Sequence, residues 1–260
     1  MNWFEALILG ILQGLTEFLP VSSSGHLEIG KALLGVQVED NLTFDIIVHT
    51  ATVCSTLVVF RKDIVGLFSG LAKISWNSET RYISKLIFSA IPVVFVGLFL
   101  EDKVEQLFSG SLVLVGYMLM VTALLLAFTH YSKPREKEIS FFHAFIIGIA
   151  QAIAVLPGMS RSGATIATAL LLKNKRENAA RFSFLMVLLP ILGKAGLDII
   201  GGGMISDSVK LIPLFTGFIS AFIVGLIACK LMISIVKRSK LIWFALYCFI
   251  VASLTLIFSL

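Results

Sequence analysis

One polar segment occurs twice in this chain, and almost everything around it is apolar. The first copy reads Ala6-Leu-Ile-Leu-Gly10-Ile-Leu-Gln13, then Leu19-Pro20-Val-Ser22-Ser23-Ser24-Gly25-His26. The second reads Ala144-Phe-Ile-Ile-Gly148-Ile-Ala-Gln151, then Leu156-Pro157-Gly158-Met-Ser160-Arg161-Ser162-Gly163. Ala6 and Ala144, Gly10 and Gly148, Gln13 and Gln151, and Ser24 and Ser162 all stand 138 residues apart, while Pro20 and Pro157 slip to 137. An internal repeat that carries Ser, Gly, His and Arg through apolar sequence points to a site shared by two halves.

The background is membrane-like. Hydrophobic residues make up 57% of the chain and charged residues 14%, where soluble domains carry about a quarter charged. Mean hydropathy is +0.96. The start, Met1-Asn-Trp-Phe-Glu5, lacks the basic n-region and cleavage site of a signal peptide, so none is expected. The net charge of +5 sits in short loops between apolar stretches, which suits orientation in a bilayer rather than nucleic acid. Cys54, Cys229 and Cys248 lie inside apolar segments without metal or redox spacing and read as packing residues.

The expected fold is an all-α integral membrane protein in one domain, 1–260. Six segments approach the ~20 residues of a span: about 44–60, 83–100, 111–130, 182–200, 211–229 and 241–259. The first is the least oily, holding Asp45, His49, Thr50, Thr52 and Ser55, and is expected to face protein or a polar cavity. The repeated segments, 5–35 and 143–173, each show an apolar run of about a dozen residues, which covers about 18 Å as helix. That is short of the ~30 Å hydrocarbon core. Both are read as re-entrant helix-turn-helix hairpins, because irregular backbone at membrane depth survives only where protein or water surrounds it.

Phe44 maps onto Phe182 with the same offset, so each repeat, about 5–130 and 143–260, is one hairpin plus three spans. Three is odd, and the second half therefore enters the membrane inverted. With the N-terminus on one side, the opposite side collects Arg61, Lys62, Lys73, Arg81, Lys85, Lys133, Arg135, Lys137, Lys173, Lys175, Arg176, Arg181, Lys230, Lys237, Arg238 and Lys240. The near side keeps Lys31, Lys103 and Lys210. That asymmetry makes the basic side cytoplasmic and puts both termini outside. Hairpin one would open outward and hairpin two inward, with their tips meeting.

The polar residues of the repeat suggest phosphoryl chemistry. Gln13 and Glu17 share a helix face, and a carboxylate in such a segment is costly enough to read as functional. Oxygen ligands of this kind suit Mg²⁺ or Ca²⁺, although Glu17 could instead sit at an aqueous mouth. Ser22, Ser23, Ser24 and Gly25 open a helix: one serine serves as an N-cap, and three exceed that need, while a helix N-terminus is an anion site. His26 can act as nucleophile, base or acid, or simply pack. Arg161, between Ser160 and Ser162 and ahead of Gly163 and Thr165, needs an anion. Its fork matches phosphate, and an ion pair with Glu17 is the structural alternative. Gly158 and Gly163 would let backbone approach a ligand. Lys194 and Asp198 are spaced to pair with each other, His49 could line the cavity, and Glu28 reads as solvated.

Gln13-Gly-Leu-Thr-Glu17-Phe-Leu-Pro20-Val-Ser-Ser-Ser-Gly-His26 resembles an (E/Q)xxxE motif followed by a Ser/His loop, and Pro157-Gly-Met-Ser-Arg-Ser-Gly-Ala-Thr165 resembles PGxSRSxxT. Together they resemble the bacterial undecaprenyl-diphosphate phosphatases of the bacitracin-resistance type, along the whole chain. The resemblance implies removal of one phosphate from undecaprenyl diphosphate, a polyprenyl lipid of the bacterial inner membrane, to return the carrier of cell-wall synthesis. By analogy Glu17, with Gln13, would hold Mg²⁺ or Ca²⁺ and Arg161 would clamp the diphosphate. Ser23 and His26 would be nucleophile and partner, with His26 also able to attack. Ser160, Ser162 and Thr165 would contact phosphate. Position 13 is Gln where some members have Glu, which should weaken metal binding or change the preferred ion. The main rival is a transporter or flippase of a phosphorylated lipid, since inverted repeats with broken central helices are a transporter trait; a channel lacks its charge ring. The expected partners are the lipid substrate and membrane lipids, with no nucleic acid, and a homodimer is left open.

Overall fold

The computed structural model describes residues 1–36, 41–100, 111–132, 137–191, 193, 211–238 and 241–259. The first repeated segment forms α1 (Trp3–Thr16) and α2 (Ser23–Leu34). Asn2 starts α1 with a capping box, its Oδ1 accepting from the Phe4 and Glu5 N–H groups while Glu5 accepts the Asn2 N–H at 2.8 Å. Gly35, at φ 65°, closes α2 in the left-handed conformation that glycine adopts without penalty. There follow α3 (Asn41–Val59), α4 (Arg61–Leu71), α5 (Ser78–Phe99) and α6 (Leu112–Tyr131). The second repeated segment forms α7 (Phe141–Ile153) and α8 (Arg161–Leu171), followed by α9 (Arg176–Met186), α10 (Leu211–Lys237) and α11 (Ile242–Ser259).

Both pairs keep the spacing of the sequence. Trp3 and Phe141 start the first helices, and Ser23 and Arg161 the second ones, each 138 apart. The one-residue slip of the prolines is taken up where α7 stops a residue early, making its break the longer one.

Among the described residues four helices, α5, α6, α10 and α11, are long and apolar enough to cross a bilayer. A further candidate is α3 with α4, bent by 70°. At 1.5 Å per residue, α1 and α7 reach only about 20 Å. The chain is an all-helical, multi-pass membrane protein. Expected segment 44–60 corresponds to α3, which ends at Val59; the chain then bends at Phe60 into α4, where basic Arg61 and Lys62 close the apolar run. Of segment 182–200, residues 182–186 form the end of α9, which stops at Met186 with Val187 as its C-cap, and most of the remainder lies outside the described residues. Lys194 and Asp198 lie outside the described residues, as do Lys103, Lys133, Arg135, Lys210 and Lys240.

Packing follows the repeat. Helix α1 lies on α10 and α7 lies on α5, while α3 packs on α10 and α9 on α5. The repeated glycines make these crossings close: a Cβ at Gly10 would enter Ser220 and Gly217 of α10, and one at Gly148 would enter the Ser89 backbone of α5. Small residues at such crossings let helix backbones pack where no hydrophobic drive separates protein from lipid. Phe44 and Phe182 are both fully buried, the first against Gly217 and the second edge-on to Tyr82 at 5.8 Å. The outer faces of the long helices carry Phe95, Leu98, Ile223, Ile227 and Phe258, all exposed as a lipid-facing surface requires.

Candidate functional site

The breaks of the two hairpins abut. Gly158 has φ 88°, and a Cβ there would strike the Val115 backbone of α6 at 2.6 Å, so only glycine fits. Its N–H faces Ser24 Oγ at 3.4 Å, and Ser162 Oγ donates to the Leu19 carbonyl at 3.2 Å. The N-termini of α2 and α8 are therefore brought to one place, each with first-turn N–H groups lacking helical partners.

Glu17 is the centre of this junction. It caps the C-terminus of α1, where the helix dipole disfavours an anion, so other groups must hold it. Arg161 Nη2 donates to its Oε1 across the two hairpins. Ser23 Oγ donates to its Oε2 at 2.6 Å and Gln13 Nε2 at 3.0 Å. The Glu17 side chain is 11% exposed and that of Arg161 29%, enough for a ligand to reach the guanidinium. The ion pair anticipated as the structural alternative for Arg161 is present.

His26 sits apart from this cluster. Its Nδ1 lies 2.8 Å from the Ser22 carbonyl, which can only accept, so Nδ1 carries the proton. Nε2 is then the acceptor for the Tyr247 hydroxyl at 2.8 Å, and the two rings stack at an interplanar angle of 11°. Ser23 is thus bonded to Glu17, and His26 to Ser22 and Tyr247; the two expected partners do not meet. Ser22 holds φ 71°, a region L-residues seldom occupy and one concentrated at functional sites. Its Oγ caps α2 by accepting the Gly25 N–H at 3.2 Å, so this serine is the N-cap and Ser23 and Ser24 are the surplus hydroxyls.

On hairpin two, Ser160 caps α8 by accepting the Gly163 N–H at 3.0 Å and donates its own N–H to Thr122 at 3.0 Å. Thr165 donates to the Arg161 carbonyl at 2.8 Å and shares a bond with Ser183 of α9. These two hydroxyls are committed to holding Arg161, and both residues are about 1% exposed. Ser162, with Glu17, Arg161, Thr52, Thr56 and Ser183, lines a cleft whose far wall is Phe18, Phe184, Val187, Leu188 and Ile191.

Sequence reasoning missed Tyr247, Thr122 and Ser183 and left His49 undecided. Tyr247 stands in an apolar span like any interface tyrosine, and nothing local marks it. His49 Nε2 lies 3.8 Å from Glu17 Oε2, and the polarity of α3 was the available signal. Glu28 is paired with Lys31 at 3.1 Å rather than free in solvent. Replacing Tyr247 with Phe keeps the stack and deletes one hydroxyl. It is expected to lower turnover up to about tenfold, the worth of one hydrogen bond, with little change in detergent melting temperature, as measured by phosphate release and a thermal shift; equal turnover would remove Tyr247 from the site.

Residues 6–254 match the profile of the bacitracin resistance protein BacA family. A protein called undecaprenyl-diphosphatase from Bacteroides fragilis is 56% identical over 263 residues, covering 100% of this chain and 99% of that one. One of the same name from Christiangramia forsetii is 54% identical over 261 residues, with 100% and 99% covered. Another from Methanosphaera stadtmanae is 38% identical over 277 residues, again with 100% and 99% covered. With matches running the length of the chain, this protein belongs to the bacitracin resistance protein BacA family.

Proposed function

We propose that this chain hydrolyses undecaprenyl diphosphate to undecaprenyl phosphate and inorganic phosphate. The observation that carries the reading is the meeting of Glu17, Ser23 and Arg161 at abutting helix N-termini. The Arg161 guanidinium would turn its fork from Glu17 onto the diphosphate, neutralising charge that grows as the anhydride opens. Ser23 Oγ would attack the terminal phosphorus, with its proton passing to Glu17 Oε2, the atom it already bonds. The P–O bond to the lipid-bearing phosphate breaks, and water then releases the phosphate from Ser23. His26 serves better as an orienting group than as the attacker, because both of its nitrogens are engaged elsewhere.

The residues fit a divalent cation. Glu17 offers a carboxylate, and the buried Gln13 Oε1 has no hydrogen-bond partner, which is what an oxygen ligand awaiting a cation would show. A cation bound there would neutralise phosphate charge and align the leaving group. The apolar cleft wall of Phe184, Val187 and Leu188 suits the start of a polyprenyl tail. The test is phosphate release from a C55 diphosphate in detergent, with and without chelator. Absence of release at any metal concentration would sink the reading. A flippase reading has no observation that favours it over this one.

The site would lie in two oppositely inserted hairpins of an inverted repeat with six spans, in the inner membrane with both termini outside. Ion pairs Arg181–Asp63 at 2.6 Å, Lys237–Glu177 at 2.8 Å and Lys175–Glu138 at 2.9 Å tie the basic loops together at one end, as one cytoplasmic face requires. In a cysteine-free background, an impermeant thiol reagent added outside should label Asn2→Cys and miss Ser75→Cys. The opposite pattern would reverse the orientation.

A further inference from the structure

Beside Glu17 stands a nitrogen donor that neither the polar motifs nor the family motifs include. His49 Nδ1 lies 2.8 Å from the Asp45 carbonyl, so that nitrogen carries the proton and Nε2 points its lone pair elsewhere. Elsewhere is Glu17: Nε2 lies 3.8 Å from Oε2, beyond a hydrogen bond. Two ligands each about 2.1 Å from one cation sit roughly 3–4 Å apart. The Gln13 amide, bonded through Nε2 to the same Glu17 oxygen, leaves its buried Oε1 without a partner.

A histidine whose second nitrogen is pinned to a backbone carbonyl is the usual arrangement at metal sites, where the pin sets tautomer and ring orientation. The support here runs further back. Asp45 is held by Lys31 at 2.6 Å, and Lys31 is 4% exposed and tied to Glu28 as well. A buried lysine braced by two carboxylates anchors the first turns of α3 against α2, and so anchors His49 relative to Glu17.

We propose that His49 is the third protein ligand of the cation at this site, completing a set of Gln13 Oε1, Glu17 carboxylate and His49 Nε2. The inference rests on the proposed phosphatase reading for the presence of a cation. An imidazole in place of an all-oxygen shell shifts preference from Mg²⁺ and Ca²⁺ toward first-row transition ions. It also accounts for a neutral Gln13: the nitrogen donor supplies affinity that a second carboxylate would otherwise provide.

Mn²⁺ is the probe, because it can be followed without turnover. Chelator-stripped protein in detergent is loaded with Mn²⁺, and pulsed electron paramagnetic resonance reads ¹⁴N coupling from a bound imidazole. Wild-type protein should show that coupling. His49→Gln should lose it, with Mn²⁺ affinity falling about 10- to 100-fold and Mg²⁺ affinity changing much less. His26→Gln should keep the coupling. No ¹⁴N coupling in wild type, or coupling that survives in His49→Gln, overturns the proposal, and the wild-type measurement alone stands even if the variant fails to fold. Phosphate release separates the two readings: turnover without nitrogen coupling leaves the phosphatase standing and removes His49.

Discussion

Arg161→Ala is expected to cut phosphate release from a C55 diphosphate by about 10²–10³-fold, the loss typical of removing one preorganised donor to developing charge. The structure gives this residue no substitute. Among the described residues Arg161 is the cation bonded to Glu17 at the hairpin junction, and two of the neighbouring hydroxyls, Ser160 and Thr165, are committed to a cap and to α9. Arg161→Lys should recover only part of the activity, because an ammonium is a point charge without the planar fork that matches phosphate. Both variants should retain their fold, since the guanidinium is partly exposed and its loss leaves Glu17 with Ser23 and Gln13 as hydrogen-bond donors. Steady-state kinetics in detergent, with KM and kcat separated, decide the matter. Unchanged kcat/KM in Arg161→Ala would falsify the site.

Glu17→Ala should be more damaging still, because one carboxylate holds three groups at once. Removing it strips the acceptor from Ser23, Gln13 and Arg161 together. Activity should fall by at least about 10³-fold, as expected where residues act as a unit. Stability should fall too, by about 1–3 kcal/mol, the cost of leaving donors to a charged group unmade. Glu17→Gln separates these effects: it still accepts from Ser23 and so recovers most of the melting temperature, but it stays inactive because an amide neither takes the Ser23 proton nor neutralises a cation. A double variant, Glu17→Gln with Arg161→Met, should melt higher than the sum of the single losses predicts, since the second change removes the charge that the first left unpaired. A thermal series on the four proteins reads the coupling directly.

Much of the architecture was legible because membrane sequence is read by simple rules. The two broken helices followed from apolar runs too short to span a bilayer, interrupted by Pro, Gly and Ser, and the helices begin at Trp3, Ser23, Phe141 and Arg161 with the offset counted in the sequence. What was not legible was where a helix bends or begins in polar sequence. Arg61, Lys62 and Asp63 close an apolar run at Phe60, yet the chain continues there as a second helix bent by 70°, and α9 starts at Arg176 among charged residues. Hydropathy averages over such points, whereas helix ends depend on caps and loop partners that an average discards.

The site shows the same division at finer grain. Glu17, Ser23, His26 and Arg161 stood out in the sequence as candidates, because charge and hydroxyls in apolar surroundings are expensive. Their partners did not. The family resemblance pairs Ser23 with His26, but the helix that begins at Ser23 turns the two side chains toward different neighbours, one to Glu17 and the other to Tyr247. Tyr247 is 221 residues from His26 and Arg161 is 144 from Glu17. Residue types and spacing could name the candidate groups for the chemistry, since each carries its own cost and valence. Only the packing of α8, α11 and α3 around hairpin one decided which of them touch, because a hydrogen bond or an ion pair depends on ångström distances that helix crossings set and local sequence does not.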